Sequence, residues 1–495
     1  MKATDVQQST LASILIGNPG NKRTLGWQQA LQAQGQPQAL EVSYARLLHA
    51  IRAGETLPEV LDSMYKRSQY SVAVQNTANS MMSSQNVGSL TMPSPHIGSD
   101  DIRSQHVRSD SMSSSSPSML TDDISACAMP SGSVWAANQP MMIRLDAPGE
   151  NAAVERGLIA LGAADNEHWQ DDSLLPIAVP TRHERIAYTA ARQLQGSYGR
   201  IWYPAQWFRG YCRLLSWLHQ QVEQYVPQAW WLNAPSEIAL MFDKRACSLH
   251  LHAAGIAVPS ILSSTANQHT PIHSYAELRQ QMEAQHVHRV FVKLFCGSAA
   301  SGVIAYQYNP RTGAEIAMTT IGKERIHGET IFYNSGRLIR YTDAADIGQL
   351  VDWIAGEGMQ VERWISKAAL DGQVYDVRQL VCRNAAGHAV MRLSRTPITN
   401  LHLRNKRLLL DDAELPETLR HSISDTAQRA LASFPGSFCA GMDVLVPANG
   451  RVPLIMDVNP FGDLLYHVQQ DGMGTYEWEL AHFLKQWRKE MTDVD

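Results

Sequence analysis

The sequence predicts an α/β chain that turns α+β in its second half, and three observations predict it. Strand-like and helical stretches alternate near the N-terminus, as in βαβ units. One long Ser-rich segment breaks that alternation. Beyond about residue 236, many short strands follow one another and an amphipathic helix closes the chain. At about 150 residues per domain, 495 residues allow two to four domains.

The elements justify this in order. Ser13 to Ile16 is β-like and ends in Gly17-Asn18-Pro19-Gly20, which lacks GxGxxG spacing and reads as a plain tight turn. A helical pattern follows, with Leu25, Trp27, Ala30 and Leu31 on or near one face. Leu40 to Val42 is a second strand. From Ser68 to Ser133 there are 19 serines in 66 residues and a single aromatic, Tyr70. Such a segment cannot bury enough apolar surface to offset its own ordering entropy, so a disordered insertion over 68–133 is expected. Met142 to Leu145 is a third strand. Ala152 to Leu161 is helical and closed by Gly162. Ile201 to Trp231 looks helical, and its Trp and Tyr residues suit core or interdomain packing. Ser236 is the expected N-cap of a helix through Ala254, with Gly255 just past its end. The last helix carries Trp478, Leu480, Phe483, Leu484 and Trp487, an apolar stripe that belongs in a core. The expected division is 1–67 with 134–235 as an α/β domain, 68–133 as the insertion, and 236–490 as a second domain.

Composition excludes several functions. Net charge is −5, from 42 Lys+Arg against 47 Asp+Glu, so no global cationic field recruits nucleic acid or a membrane. No run approaches the roughly 20 apolar residues that a transmembrane helix needs. The first apolar run, Leu11 to Ile16, is too short for a signal peptide. The six cysteines (127, 212, 247, 296, 382, 439) are scattered, with no CxxC and no Cys/His cluster. That argues against a zinc site or disulfide framework and fits a reducing cytoplasm. No motif specifies an oligomeric state.

Three constellations carry chemistry. In Val290-Phe-Val-Lys293-Leu-Phe-Cys-Gly297-Ser298-Ala-Ala-Ser-Gly302-Val303, a strand bearing a lysine enters a loop of small residues and a second strand leaves it. Small residues let backbone N–H groups approach an anion, and the lysine adds a point charge for phosphate. It is not a Walker A loop, because Val303 and Ile304 stand where Lys and Ser/Thr are required. Next, Gly441-Met-Asp443-Val-Leu-Val and Leu454-Ile-Met-Asp457-Val-Asn459 flank a turn at Asn449-Gly450 and form a hairpin. The turn sets Asp443 roughly opposite Asp457, and Asn459 shares a strand face with Asp457. Two close carboxylates repel unless a cation lies between them, and hard oxygens of this kind suit Mg²⁺ bridging nucleotide phosphates. The third element is a basic block: Val377 to Leu410 holds seven Arg/Lys and no acid. Asp376 and Arg378 share a face, and an Asn384–Gly387 turn makes a second hairpin returning through Ala389 to Leu393. Arg395 and Asn400 sit on the connection that follows. A cationic stretch beside an acidic hairpin supplies what a polyphosphate–metal ligand needs. Aromatics for base stacking are not interleaved in the block, which speaks against nucleic acid.

These residues resemble the ATP-grasp superfamily, most closely its carboxylate–amine ligases of the ribosomal-protein glutamate ligase type. The likeness spans about 236–490, with its motifs in family order. They are Asp243-Lys244 before Val258-Pro259, Phe291-Val-Lys293 through Gly302-Val303, Val361-Glu362-Arg363-Trp364-Ile365, Tyr375-Asp376-Val-Arg378, Thr399-Asn400-Leu-His402, and Asp443, Asp457 and Asn459. The resemblance implies a two-lobed ATP-grasp domain preceded by an α/β pre-ATP-grasp domain. It implies ATP and Mg²⁺ as cofactors, and a carboxylate and an amine, small-molecule or peptide, as substrates. By the resemblance, Lys244, Lys293 and Ser298 cover phosphate oxygens, and Asp443, Asp457 and Asn459 hold one or two Mg²⁺. Arg378, with Lys293, serves the phosphoryl transfer. Glu362 and the backbone of Arg363 and Trp364 read adenine, although Trp364 could equally only pack. Asp371 is a ribose ligand or an exposed loop acid, and Arg395 and Asn400 hold phosphate or the acceptor's carboxylate. Two departures stand out: Ala299-Ala300-Ser301 replaces the loop's central glycine, and Asn459-Pro460-Phe461-Gly462-Asp463 replaces Asn-x-Ser-Pro-Gly. A kinase acting on a hydroxyl and a non-catalytic nucleotide-binding protein are the alternatives on the same fold.

Overall fold

The structure is a computed structural model, described over residues 11–67, 141–180, 185–196, 199–263, 271–297, 301–399, 406–463 and 465–493. The expected insertion at 68–133, Ser298 and Asn400 lie outside the described residues. Contacts divide the chain into two compact units, 1–61 with 135–495, and 62–134. The elements below all belong to the first.

A parallel sheet comes first. Its strands are β1 (Ala12–Gly17), β2 (Leu40–Ser43), β3 (Met141–Leu145) and β4 (Ala229–Trp231), in the order β2-β1-β3-β4. Ile14, Leu15, Met142 and Ile143 are almost wholly buried, which explains why β1 and β3 read as continuous apolar runs. The order reverses between β1 and β3, so their carboxyl ends at Gly17 and Asp146 flank a switch point. The Lys22–Ala33 helix buries Thr24, Trp27, Ala30 and Leu31, while Leu25 is 52% exposed. The sequence expectation for Leu25 is therefore corrected: the stripe runs 24, 27, 31 at three- and four-residue steps, and Leu25 falls beside it.

The helix expected over Ala152–Leu161 forms with those bounds and Gly162 closes it as its C-cap, at φ −79°, but the glycine serves a second purpose. A Cβ on Gly162 would lie 1.9 Å from the Gln206 carbonyl oxygen, and one on Gly210 1.9 Å from that of Leu158. Both glycines let this helix and Pro204–Tyr225 touch backbone to backbone. The helical stretch ends at Tyr225, and Trp230 and Trp231 enter β4. Phe208 packs on Phe242 and Phe295 at ring separations of 5.8 and 5.4 Å, the packing role expected of these aromatics.

Two antiparallel sheets make up the second half. One is ordered β8-β7-β6-β5-β9, from β5 (Arg289–Leu294), β6 (Val303–Tyr308), β7 (Glu315–Ile326), β8 (Glu329–Tyr341) and β9 (Met359–Arg363). Helices Tyr275–Ala284 and Ala344–Glu357 bury one of its faces. The other is ordered β13-β12-β11-β14-β15. Its strands are β11 (Gln373–Cys382), β12 (Ala385–Ser394), β13 (Lys406–Leu409), β14 (Cys439–Leu445) and β15 (Leu454–Asn459), and β10 (Ala369–Leu370) pairs with β11. The Glu417–Ala432 helix covers one face. The Thr475–Asp493 helix joins the other face to the N-terminal sheet: Trp478, Phe483 and Trp487 share a core with Leu15, Trp27, Leu380 and Cys439.

Two local expectations are corrected. The helix over 236–254 is two helices, Pro235–Phe242 and Lys244–Ala253, broken at Asp243. The Asp243 carboxylate accepts from the Arg245 and Ala246 amides, so it caps the second helix in place of Ser236, and Lys244 opens that helix. The turn expected at 384–387 is the two-residue Arg383-Asn384, with Arg383 at φ 49°. No helix among the described residues is long and apolar enough to cross a membrane.

Candidate nucleotide and metal site

Sheet register builds the acidic hairpin. Asp443 on β14 pairs directly with Asp457 on β15, and Gly441 with Asn459. Asn459 Nδ2 donates to the Gly441 carbonyl at 3.0 Å, which turns its amide oxygen to the acceptor role. The two carboxylates stand together because cations neutralise each one. Lys244 Nζ lies 2.6 Å from Asp457 Oδ2. Arg378 Nη1 lies 2.5 Å and Arg392 Nη1 3.2 Å from Asp443 Oδ1. Arg378 and Asp443 are themselves register partners across β11 and β14, as are Asp376 and Arg392 across β11 and β12.

The charges continue along the sheet. Arg378 Nε contacts Asp463 Oδ2 at 2.7 Å. Asp376 is buried and holds Arg392 Nε at 2.7 Å, Lys367 Nζ at 2.8 Å and the Thr399 hydroxyl. Lys293 reaches in from the other sheet: its Nζ is 2.7 Å from Glu362 Oε2 and 3.5 Å from the Met456 carbonyl, beside Asp457. So Lys244, Lys293 and Arg378 converge on the acidic hairpin, one from a helix start and one from each antiparallel sheet.

Electrostatics follows from these pairs. Burial opposes ionisation of Asp457, yet Lys244, Lys293 and Arg378 together hold it below its ordinary carboxylate value. Burial likewise lowers Lys244, but Asp457 and Asp443 outweigh it and leave the ammonium stabilised. Burial works against the Asp376 carboxylate too, and Arg392 and Lys367 overcome it, bringing Asp376 down to about 2. Groups depressed in the fold stabilise it fully above the unfolded carboxylate value and lose that contribution as pH falls through the folded one. Urea denaturation followed from pH 5 downward is therefore expected to show stability lost mainly between about 4 and about 2.

The other expected site residues are placed as follows. Glu362 is 4% exposed and its carboxylate is engaged by Lys293 and by Gln360 Nε2 at 3.1 Å, an ion-pair role that the adenine expectation lacked. The Arg363 amide donates to Ser260 O at 2.9 Å and the Trp364 amide to Arg289 O at 3.3 Å. Any adenine contact from these two residues' backbone thus falls to their carbonyls. The Trp364 ring packs on Phe291 at 5.0 Å. Asp371 and Gly372 both have positive φ, 50° and 72°, and form the tight turn between β10 and β11, which gives the acid a turn role. Arg395 is exposed just beyond β12.

Sequence reasoning assigned no role to four residues that the structure brings in. Asp463 orients Arg378, Lys367 and Arg392 hold Asp376, and Arg144 anchors the segment after Asn459. Arg144 Nη2 and Arg23 Nη1 both donate to the Phe461 carbonyl, at 3.3 and 3.4 Å. Asn233 Nδ2 donates to that of Pro460. Gly462 has φ 62°, and a Cβ there would meet Glu479 Oε1 at 2.4 Å. The departure at 460–463 is thus a segment clamped by the N-terminal sheet. Its only sequence signal was the change of motif itself.

The donor set fits a hard divalent cation: two in-register carboxylates and an amide oxygen, all oxygen. Among the described residues no group of three or more His, Cys, Asp and Glu side chains gathers for a metal. No protein-family model matches the chain, and no curated relative matches it. Solved structures do match. The chain is similar to ATP-grasp ligases. The ATP-grasp ligase PsnB, solved with precursor peptide PsnA2 and AMPPNP, is 12% identical over 97% of this chain and 99% of its own, with a TM-score of 0.39. An N5-carboxyaminoimidazole ribonucleotide synthetase in complex with ADP is 10% identical over 55% of this chain, with a TM-score of 0.35, and the match spans 58% of that enzyme's length. VanG D-Ala:D-Ser ligase from Enterococcus faecalis is 14% identical over 54% of this chain and 68% of its own, with a TM-score of 0.34.

Proposed function

We propose that this protein is an ATP-dependent, Mg²⁺-dependent ligase of the ATP-grasp type that joins a carboxylate to an amine through an acyl phosphate. The observation that carries the reading is the convergence of Lys244, Lys293 and Arg378 on Asp443, Asp457 and Asn459. In this reading 236–490 is the catalytic domain, with 1–67 and 134–235 as its α/β partner.

The residues have distinct tasks. Asp443, Asp457 and Asn459 would hold Mg²⁺, which supplies charge neutralisation at the triphosphate. Lys244 and Lys293 neutralise phosphate oxygens, and each is held in place by a carboxylate, Asp457 and Glu362 respectively. A substrate carboxylate oxygen attacks the γ-phosphorus and ADP leaves, giving the acyl phosphate. Arg378, held by Asp443 and Asp463, would stabilise the charge that develops in that transfer. The amine then attacks the acyl carbon, inorganic phosphate leaves, and the nitrogen loses a proton.

The test is ADP release with Mg²⁺ over pools of amino acids and peptides, followed by mass analysis. A ligase gives ADP only when a carboxylate is present, and a product lighter than the two substrates by one water. A stable phosphoester product would make it a kinase instead. Nucleotide binding with no ADP from any pool would make it a non-catalytic binder.

A further inference from the structure

Five cysteines lie within the described residues, all free and buried, and two of them face each other. Cys382 is the last residue of β11 and Cys439 the first of β14, and the two are register partners. Antiparallel rungs alternate between hydrogen-bonded and non-hydrogen-bonded pairs, and the second kind brings Cα atoms to about 4.5 Å. Cys382 and Cys439 form the second kind. The Cys439 N–H donates to Asn233 Oδ1 at 3.1 Å and its C=O accepts from Asn233 Nδ2 at 2.8 Å. Both backbone groups therefore point away from β11. The next rung, where the Arg383 amide donates to Phe438 O at 2.7 Å, is of the hydrogen-bonded kind. A Cα separation near 4.5 Å falls within the range that disulfides occupy. Both side chains lie in one buried core cluster with Leu380 and Trp478.

We propose that Cys382 and Cys439 are an oxidative modification site that closes to a cross-strand disulfide. With a hydroperoxide as oxidant, one thiolate attacks the peroxide oxygen and becomes a sulfenic acid, releasing hydroxide. The other thiol attacks that sulfur and expels water. Two thiols and one hydrogen peroxide thus give one disulfide and two waters. No other described cysteines are paired in strand register. The location gives the bond a consequence. Cys382, Leu380 and Arg378 alternate onto one face of β11, so the disulfide would staple the two strands that carry the Arg378–Asp443 pair. Burial pushes both thiols up, so the folded protein reacts slowly, and local opening around this pair sets the rate.

The test uses the full chain, reduced and desalted, in two arms. One portion is incubated with hydrogen peroxide. Another is unfolded and refolded in a mixture of oxidised and reduced glutathione. Both are then blocked with an alkylating agent in denaturant and digested with trypsin without reduction. The expected result, in the refolding arm at least, is peptide 379–383 joined to peptide 430–451, a mass two hydrogens below their sum, lost on reduction and absent from Cys382→Ser. Full alkylation of both residues in both arms overturns the proposal, as does pairing of Cys439 with any other cysteine.

Discussion

Asp457→Asn is expected to lower ATP turnover about a hundred- to a thousandfold while the protein stays folded. The substitution keeps the side-chain volume on β15 and removes one charge from a hairpin held by backbone register. What it takes away is the charge that holds Lys244 at 2.6 Å and offers a hard donor to a metal. Loss of one charge-stabilising group in a preorganised site is typically that large. Lys293 needs a paired design. Lys293→Met alone leaves Glu362 buried without its cation, which costs about 3–5 kcal/mol of stability, so lost activity would be ambiguous. Lys293→Met with Glu362→Gln removes both charges. It is expected to recover much of the stability and none of the turnover. Steady-state ADP release with urea denaturation measures both; normal turnover in Asp457→Asn or in the double variant would sink the site.

Arg144→Met is expected to destabilise the protein by about 3–5 kcal/mol, the largest single loss anticipated outside the site. Arg144 is 1% exposed, lies 3.2 Å from Glu479 and 3.1 Å from Asp146, and stacks over Trp27 and Tyr476 at 4.1 and 4.8 Å. Removing it strands Glu479, which burial already drives up in spite of Arg144. Adding Glu479→Met is expected to recover part of the loss, because Glu479 then leaves the core together with Arg144 while Asp146 remains. Urea denaturation of the two variants checks this. A double variant no better than the single one would show that the Glu479 pair does not carry the cost, leaving it to the Asp146 pair and the stacking on Trp27 and Tyr476.

Legibility differed from element to element for physical reasons. β1, β3 and the 152–161 helix were readable because apolar period and turn residues act locally. The break at Asp243 was missed because a carboxylate capping its own following turn looks, in sequence, like a polar residue on a helix face. Asp443, Asp457 and Asn459 were readable as a group because a hairpin turn converts sequence spacing into register. Lys367 and Asp463 carried no such signal, since their partners lie on other strands. Glu362 had a signal that named no partner within the chain: its strand neighbour across the sheet is β5, which brings Lys293 to it.

Short-range signals suffice for the α/β beginning, the antiparallel second half and the acidic hairpin, because periodicity, turn chemistry and strand register all act between near neighbours in the chain. Tertiary structure alone decided how those charges are matched. Arg378 between Asp443 and Asp463, Lys244 on Asp457 and Arg144 clamping Phe461 each join residues distant in the chain. Which cation faces which carboxylate depends on how sheets and helices pack, and no local pattern encodes that choice.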